Sequence, residues 1–503
     1  MLKKWVRQEN LHYQSGKRLL GINNNRKPKG RVGFSTLSFD FLLEKLILFS
    51  IIVSILLFIL FPIFSIIATS VYKNGVFSLQ QYKNLLNEDN IQLIKNSILV
   101  STLSSIFTVM IAFCIALYVF IKKGKMKKLI SFSLMLTMIS PPFVSALALI
   151  MLFGRRGLIT NGIFGLSVNP YGCQGVILLQ TIGQISFASI LLINTLNSMD
   201  LRLILASRDL GATPLQTLKN VIIPASSSGI MSVLFILFTM NLADFGTPII
   251  IGGKFKVLAT EAYMTIISSA NLGKASAISV LLVQPAMIAF YFYNKNMTKA
   301  DNMSDGNKSF SNSSYEFDMP KYLKLFLATI TSLFFVVMIL KYGNIFLSTI
   351  SNTSSGKIRF TTANFEDLKP GQINSFTRSI LYGVTAAVLA SLIGITLSYF
   401  TRRRKIVYMK YFEFISSLPY IIPGTFFGLG YIVAFNNKPL LLTDTAIIII
   451  LNFTFRQISV SNKAANAAFT KIDLKIEDAA RDLGASKIKI LSNIIFPLLK
   501  PVF

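Results

Sequence analysis

The sequence predicts an all-helical, polytopic membrane protein built from two homologous halves, and three observations carry that prediction. Of its 503 residues 52% are hydrophobic and only 14% charged, with a mean hydropathy of +0.59, whereas a soluble chain of this size carries about a quarter charged residues. The apolar residues gather into charge-free runs long enough for the roughly 20 helical residues that a bilayer core demands. A block of sequence then recurs 273 residues further along the chain.

Taken in order, residues 1–40 form a basic, polar arm, and the apolar run 46–72 behind it is too long for the apolar core of a cleaved leader, so it is expected to remain as a span. Bounding each later run by its nearest charges places further spans at 96–121, 129–154, 176–197, 220–243, 275–294, 325–340, 379–401 and 414–437. A tenth starts at Thr445 and is interrupted by Arg456. The first half then occupies 41–294 and the second 321–503, joined by a cytoplasmic linker, 295–320, whose stretch 302–314 is rich in Asn, Ser and Asp.

The formal net charge of +29 would suggest nucleic acid if it were spread over a folded surface. Instead it is concentrated beside the spans: nine Lys and Arg in the N-terminal arm, Lys122, Lys123, Lys125, Lys127 and Lys128 in one loop, and Arg402, Arg403, Arg404, Lys405 and Lys410 in its later counterpart. Basic residues are retained on the cytoplasmic face. The pattern therefore predicts a cytoplasmic N-terminus and a surface that meets membrane lipid, with no nucleic-acid partner.

Chemistry of the enzymatic kind has little to stand on. Cys114 and Cys173 are too few for a disulfide framework or metal cluster, and His12 is the single histidine. Gly252-Gly253-Lys254 runs on to Phe255 and lacks the leading Gly of a phosphate-binding loop, so ATP is not bound by that route. Neither a catalytic residue nor a metal site is assigned, and no cofactor is expected on this chain.

The repeat carries more. The 25 residues from Asp200 to Pro224 align with those from Asp473 to Pro497 at 12 identical positions, and the same shift sets Thr181, Gln184, Ile185 and Ser186 on Thr454, Gln457, Ile458 and Ser459. Each copy reads as a short amphipathic helix with small residues (Ala206, Ser207; Ala479, Ala480), a Leu-Gly turn (Gly211; Gly484), a second short helix, and a proline opening the next span (Pro224; Pro497). Small residues admit close approach, and glycine supplies the positive φ of a sharp turn. One such copy would be read equally well as a helix lying on the headgroups; two near-identical copies are read as a docking element. Repeated halves with a pathway between them are a common transporter plan.

The pattern at Asp478-Ala479-Ala480, Gly484, Ile494 and Phe496-Pro497, and at Leu205-Ala206-Ser207, Gly211, Val221 and Ile223-Pro224, resembles the EAA loop of permease subunits in binding-protein-dependent ABC importers. The resemblance implies two type I importer permease halves of the MetI-like fold in a bacterial inner membrane. It implies an extracytoplasmic solute-binding protein and two copies of a separate ATP-binding subunit, which supplies ATP and Mg. In that family the loop sits in a cleft of the ATPase and passes its closure to the membrane helices. That role is carried over to Ala206, Ser207, Arg208, Asp209, Gly211 and Pro224, and to Asp478, Ala479, Ala480, Arg481, Asp482, Gly484 and Pro497. The acidic position holds Asp478 in one copy and Leu205 in the other, which leaves a charge contact on one side alone, whereas Asp200/Asp473 and Arg208/Arg481 recur in both.

Two halves in one chain, with Gly154-Arg-Arg-Gly-Leu-Ile-Thr160, Ala243-Asp-Phe-Gly-Thr-Pro248 and Leu258-Ala-Thr-Glu-Ala-Tyr263, are similar to fused permeases of the ferric-iron importer group. That group adjoins the polyamine, thiamine and phosphonate permeases. Because the first half runs about 70 residues past Pro224 and the second only six past Pro497, two further spans are expected beyond Phe503.

Two positions are candidates for the solute path. A charge at Arg456 within a span costs about 2.5 to 3.5 kcal/mol on insertion scales. It either meets an anionic solute or chelate or braces helices through carbonyls or an acid, and bracing is the preferred reading. Asp244, before Phe245, Gly246 and Pro248, either binds a cation or belongs to an outer-loop turn, and the turn is preferred. A channel or scaffold that needs no ATPase remains the rival of another class.

Overall fold

In the computed structural model, described residues run from 34 to 499, excluding 74–75, 86, 123, 139–141, 156, 167–168, 305–318, 353–358, 367, 470–471 and 486. His12, most of the N-terminal arm and the middle of the linker lie outside the described residues. The chain forms two compact units, one of residues 52–466 and one drawn from 1–51 and 467–503.

The same element order is written twice. A leading span, α1 (Phe34–Ile55) continuing through a π-turn into α2 (Phe61–Val71), is followed by a hairpin, β1 (Tyr72–Lys73) and β2 (Val76–Phe77), a short α3 (Gln80–Leu85) and a long α4 (Glu88–Ile121). Then come a broken pair, α5 (Gly124–Thr137) and α6 (Pro142–Phe153), the straight α7 (Cys173–Asn197), the short α8 (Leu201–Asp209) and α9 (Pro214–Thr217), and α10 (Ile223–Ala243). The first half closes with α11 (Gly246–Ile251), α12 (Leu258–Ser269) and α13 (Leu272–Ser304). The second half repeats the order as α14 (Lys321–Thr349), β3 (Ser351–Asn352), β4 (Arg359–Phe360), α15 (Ala363–Glu366), α16 (Pro370–Ser398), α17 (Met409–Ile421), α18 (Gly424–Ala434), α19 (Ala446–Phe469), α20 (Leu474–Asp482), α21 (Lys487–Ile490) and α22 (Phe496–Leu498). Each hairpin is antiparallel, with Tyr72 opposite Phe77 and Ser351 opposite Phe360.

Among the described residues, seven helices are long and apolar enough to cross a membrane, and α17 with α18 makes an eighth candidate bent by 108°. Two of the expected spans therefore take another form. The run 129–154 is split into α5 and α6, because Pro142 cannot donate to a continuing helix. The tenth run is the single helix α19, which carries Lys463 as well as Arg456. The span expected at 325–340 is a 29-residue helix, 321–349, because Lys341 does not end it: its side chain is buried inside the bundle.

Within the 52–466 unit the leading spans cross over. α2 packs on α13 of its own half and on α18 of the other, whereas α14 packs on α4 and α6 of the first half, so each leading span reaches across to the opposite half. Hydroxyl residues stand among the aliphatic ones on the buried face of α4: Ser97, Ser101, Ser104, Ser105 and Thr108 are all buried, at helical spacing. Small polar side chains let helices approach closely in lipid, where apolar burial no longer drives association. Ser104 donates to Gln180 Oε1 at 3.0 Å and Asn241 Nδ2 donates to Ser105 Oγ at 3.0 Å, tying α4 to α7 and α10.

Candidate functional site

The repeated loops adopt the same local structure in each unit. Asp200 accepts from the Arg202 backbone N–H at 2.9 Å and Asp473 from that of Lys475 at 3.0 Å, so each short helix opens on an aspartate cap. At the other end the Gly211 N–H bonds Arg208 O at 2.9 Å and the Ala212 N–H bonds Ser207 O at 3.1 Å. The second copy repeats this with Gly484 to Arg481 at 2.9 Å and Ala485 to Ala480 at 3.0 Å. This is a Schellman closure, and it needs a left-handed residue: φ is +82° at Gly211 and +84° at Gly484. Pro224 and Pro497 each stand second in the helix that follows a π-turn, 218–222 and 491–495. The wider turn accommodates a ring that has no N–H and would otherwise press on the carbonyl four residues back.

The two copies differ in their charges. Arg208 donates to Ala212 O at 2.7 Å, while Asp200 is paired with Arg202 Nε at 3.1 Å. Arg481 instead reaches Asp478 at 3.3 Å and Glu477 at 3.9 Å. Glu477 is buried where the first copy places the buried Ile204. Asp209, Asp478 and Asp482 are exposed, as are Ala206 and Ala479, but Ala480 is buried, so a bulky residue there disturbs its own packing before it can obstruct a partner. The residues missed in the sequence are the leucines ahead of the two glycines: Leu210 is 88% exposed and Leu483 90%. A lone exposed leucine means little, but here the same residue stands exposed on both tips. Ser207 Oγ lies 3.1 Å from Thr217 Oγ1, fastening the two short helices of the first copy together.

A cavity of about 720 Å³ opens within the 52–466 unit, and both candidate solute-path residues line it. Asp244 follows the end of α10 and caps α11, its Oδ1 accepting from the Thr247 N–H at 3.1 Å and its Oδ2 from Gln180 Nε2 at 3.2 Å. The turn is buried, not an open loop, since Gly246, Thr247 and Pro248 are enclosed and Phe245 stacks on Tyr263 at 4.8 Å. Arg456 comes from α19 and exposes its side chain. Among the described residues neither an acid nor a carbonyl holds it; its guanidinium lies against the backbone of Gly424. A third charged residue, Lys341, also lines the wall, and in the sequence it shows only as the charge that bounds the run 325–340. Its Nζ donates to Ser145 Oγ at 3.3 Å and sits 4.5 Å from the Tyr342 ring centre. No group of three or more His, Cys, Asp and Glu that could hold a metal ion is present among the described residues.

Residues 108–298 and again 383–503 match the family described as the binding-protein-dependent transport system inner membrane component. The ferric transport system permease protein FbpB of Actinobacillus pleuropneumoniae is 30% identical over 90% of this chain and 68% of its own length. A putative ferric transport system permease protein FbpB 1 of Haemophilus influenzae is 29% identical over 90% and 73%. A putative 2-aminoethylphosphonate transport system permease protein PhnV of Salmonella typhi is 28% identical over 34% of this chain and 65% of its own. Among solved structures, a bacterial ABC transporter involved in import of the acidic polysaccharide alginate is 19% identical, with a TM-score of 0.43 over 54% of this chain and 99% of that one. With two matching regions at the two halves and a 30% identical relative along most of its length, the chain belongs to the binding-protein-dependent inner membrane components and is a permease of an ABC importer.

Proposed function

We propose that the protein is the fused, two-half permease of a bacterial inner-membrane importer for ferric iron, driven by a separate ATPase. The observation that supports this most directly is similarity to ferric transport permeases along 90% of the chain. Two copies of the ATP-binding subunit, holding ATP and Mg, would grip the loops around Gly211 and Gly484, one on each. An extracytoplasmic binding protein would deliver solute to the opposite face, and the cavity at Asp244, Lys341 and Arg456 would lie on its path. The basic loops at 122–128 and 402–410 support a cytoplasmic N-terminus.

Closure of the ATPase pair would push both short helices, and each π-turn and proline would pass the displacement to the span behind it. Access to the cavity would then alternate between the two faces, because solute binding differs between the states. A second reading, a phosphonate or polyamine as solute, is favoured by shorter matches to permeases for those solutes. Uptake of radiolabelled ferric iron by cells carrying this permease with its neighbouring ATPase and binding-protein genes tests the reading. Accumulation that depends on all three supports it; an intact, ATP-hydrolysing complex that takes up no iron moves the solute to the second class.

A further inference from the structure

We infer that the cavity is an anion site, so that the solute crosses as an anion or, for iron, as a complex with bound anions and not as a bare cation. This deepens the proposed pathway role and rests on it. Lys341 and Arg456 enter the same cavity from different helices, α14 and α19, and among the described residues Asp244 is the one carboxylate on its wall.

Asp244 is already committed, one oxygen to Gln180 and the other to the Thr247 N–H. Lys341, only 3% exposed, has the neutral hydroxyl of Ser145 as its hydrogen-bond acceptor. Arg456 has no hydrogen-bond or ion-pair partner among the described residues. The other acid nearby in sequence, Glu261 in α12, bonds Lys274 at 3.4 Å. Two turns from Arg456, Lys463 holds its ammonium 5.2 Å from the ring centre of Tyr420, itself a wall residue.

Cations inside a membrane protein are costly and face one another's partners or a water-filled path. Here two stand against one committed acid, and the guanidinium occupies space that a side chain at Gly424 would take. Among the described residues the rest of the wall is uncharged, mostly apolar side chains with polar groups such as the hydroxyls of Thr137, Thr239 and Thr425 and the amide of Gln184. These supply hydrogen bonds without countercharge, so the site repels a free polycation and completes its charge balance with an anion. Its volume, about 720 Å³, is in the range of small-molecule sites, roughly 300 to 1,000 Å³, and is far larger than a naked metal ion needs.

The test uses the complete importer in cells and three radiolabelled probes: ferric iron supplied with phosphate, 2-aminoethylphosphonate and spermidine. Lys341→Gln and Arg456→Gln are each expected to lower uptake of an anionic probe at least tenfold. Lys341→Arg and Arg456→Lys restore most of it, and every variant is first required to co-purify with the ATPase. Iron uptake that ignores both Gln variants, or Arg and Lys replacements as poor as Gln, overturns the inference while leaving the iron reading in place. Phosphonate uptake without iron uptake, sensitive to the Gln variants, overturns the iron reading and leaves the anion site standing. Uptake of spermidine alone overturns both.

Discussion

The guanidinium of Arg456 lies flat against Gly424: a Cβ at that glycine would stand 2.5 Å from Nη1, 2.7 Å from Nη2 and 2.8 Å from Cζ. A methyl group cannot share that space, so Gly424→Ala must expel the guanidinium from its place on the cavity wall. We expect uptake to fall at least tenfold with little loss of stability, because the displaced group is the far end of a flexible side chain. Arg456→Ala should lower uptake to the same degree, and combining it with Gly424→Ala should add no further loss, as measured in the uptake assay beside thermal unfolding in detergent.

The exposed tips at Leu210 and Leu483 make a prediction about the partner. Leu210→Asp and Leu483→Asp remove no buried contact, so the permease should fold and reach the membrane unchanged. Each should weaken ATPase association, and the pair should abolish it in a pull-down from solubilised membranes. Retention of the ATPase by the double variant would place its docking elsewhere on the chain.

At Gly211 and Gly484 the space around a new Cβ is open, so the requirement is conformational and not steric. Alanine at either position must hold a left-handed conformation that costs about 1 to 2 kcal/mol. We expect similar losses from Gly211→Ala and Gly484→Ala, and smaller ones from Asn, which tolerates positive φ better. Limited proteolysis of the two loops reads this without requiring transport.

A polar cluster in the second half supplies a stability test. The carboxylate of Glu413 accepts from Asn462 at 3.3 Å and from Asn466 at 2.5 Å, and Asn466 Oδ1 in turn accepts from Ser398 at 2.6 Å. Asn462 and Asn466 are buried. Glu413→Leu leaves their amides without an acceptor and should cost about 1 to 3 kcal/mol for each stranded group. Glu413→Gln keeps an acceptor oxygen and should cost less, so the two variants separate in a thermal melt.

Much of this was legible in the residues. Hydropathy fixed most of the long spans, and the repeat located both loops with their turn glycines, because a positive φ at a tight turn is a local requirement. Lys341 was lost for a physical reason: a charge was treated as the end of a span, whereas a buried lysine facing a polar cavity can lie well inside one. The broken runs at 129–154 and 414–437 looked continuous because apolarity does not register a bend; Pro142 and Pro423 were the available signals. Leu210 and Leu483 belong to the Leu-Gly turns that the repeat shows, but their exposure is decided by how the turn projects them and no local pattern states it. The crossing of the leading spans, α2 onto α18 and α14 onto α4, is a tertiary choice that no local pattern encodes.

The most direct test of ATP-driven import through this chain is ATP hydrolysis by the full complex in lipid nanodiscs, with and without solute-loaded binding protein. We predict several-fold stimulation by the loaded binding protein, lost when Leu210 and Leu483 are both changed to Asp. Hydrolysis that responds equally with the wild-type and the doubly substituted permease would contradict the account, because the loops would then carry no signal between the ATPase and the membrane path.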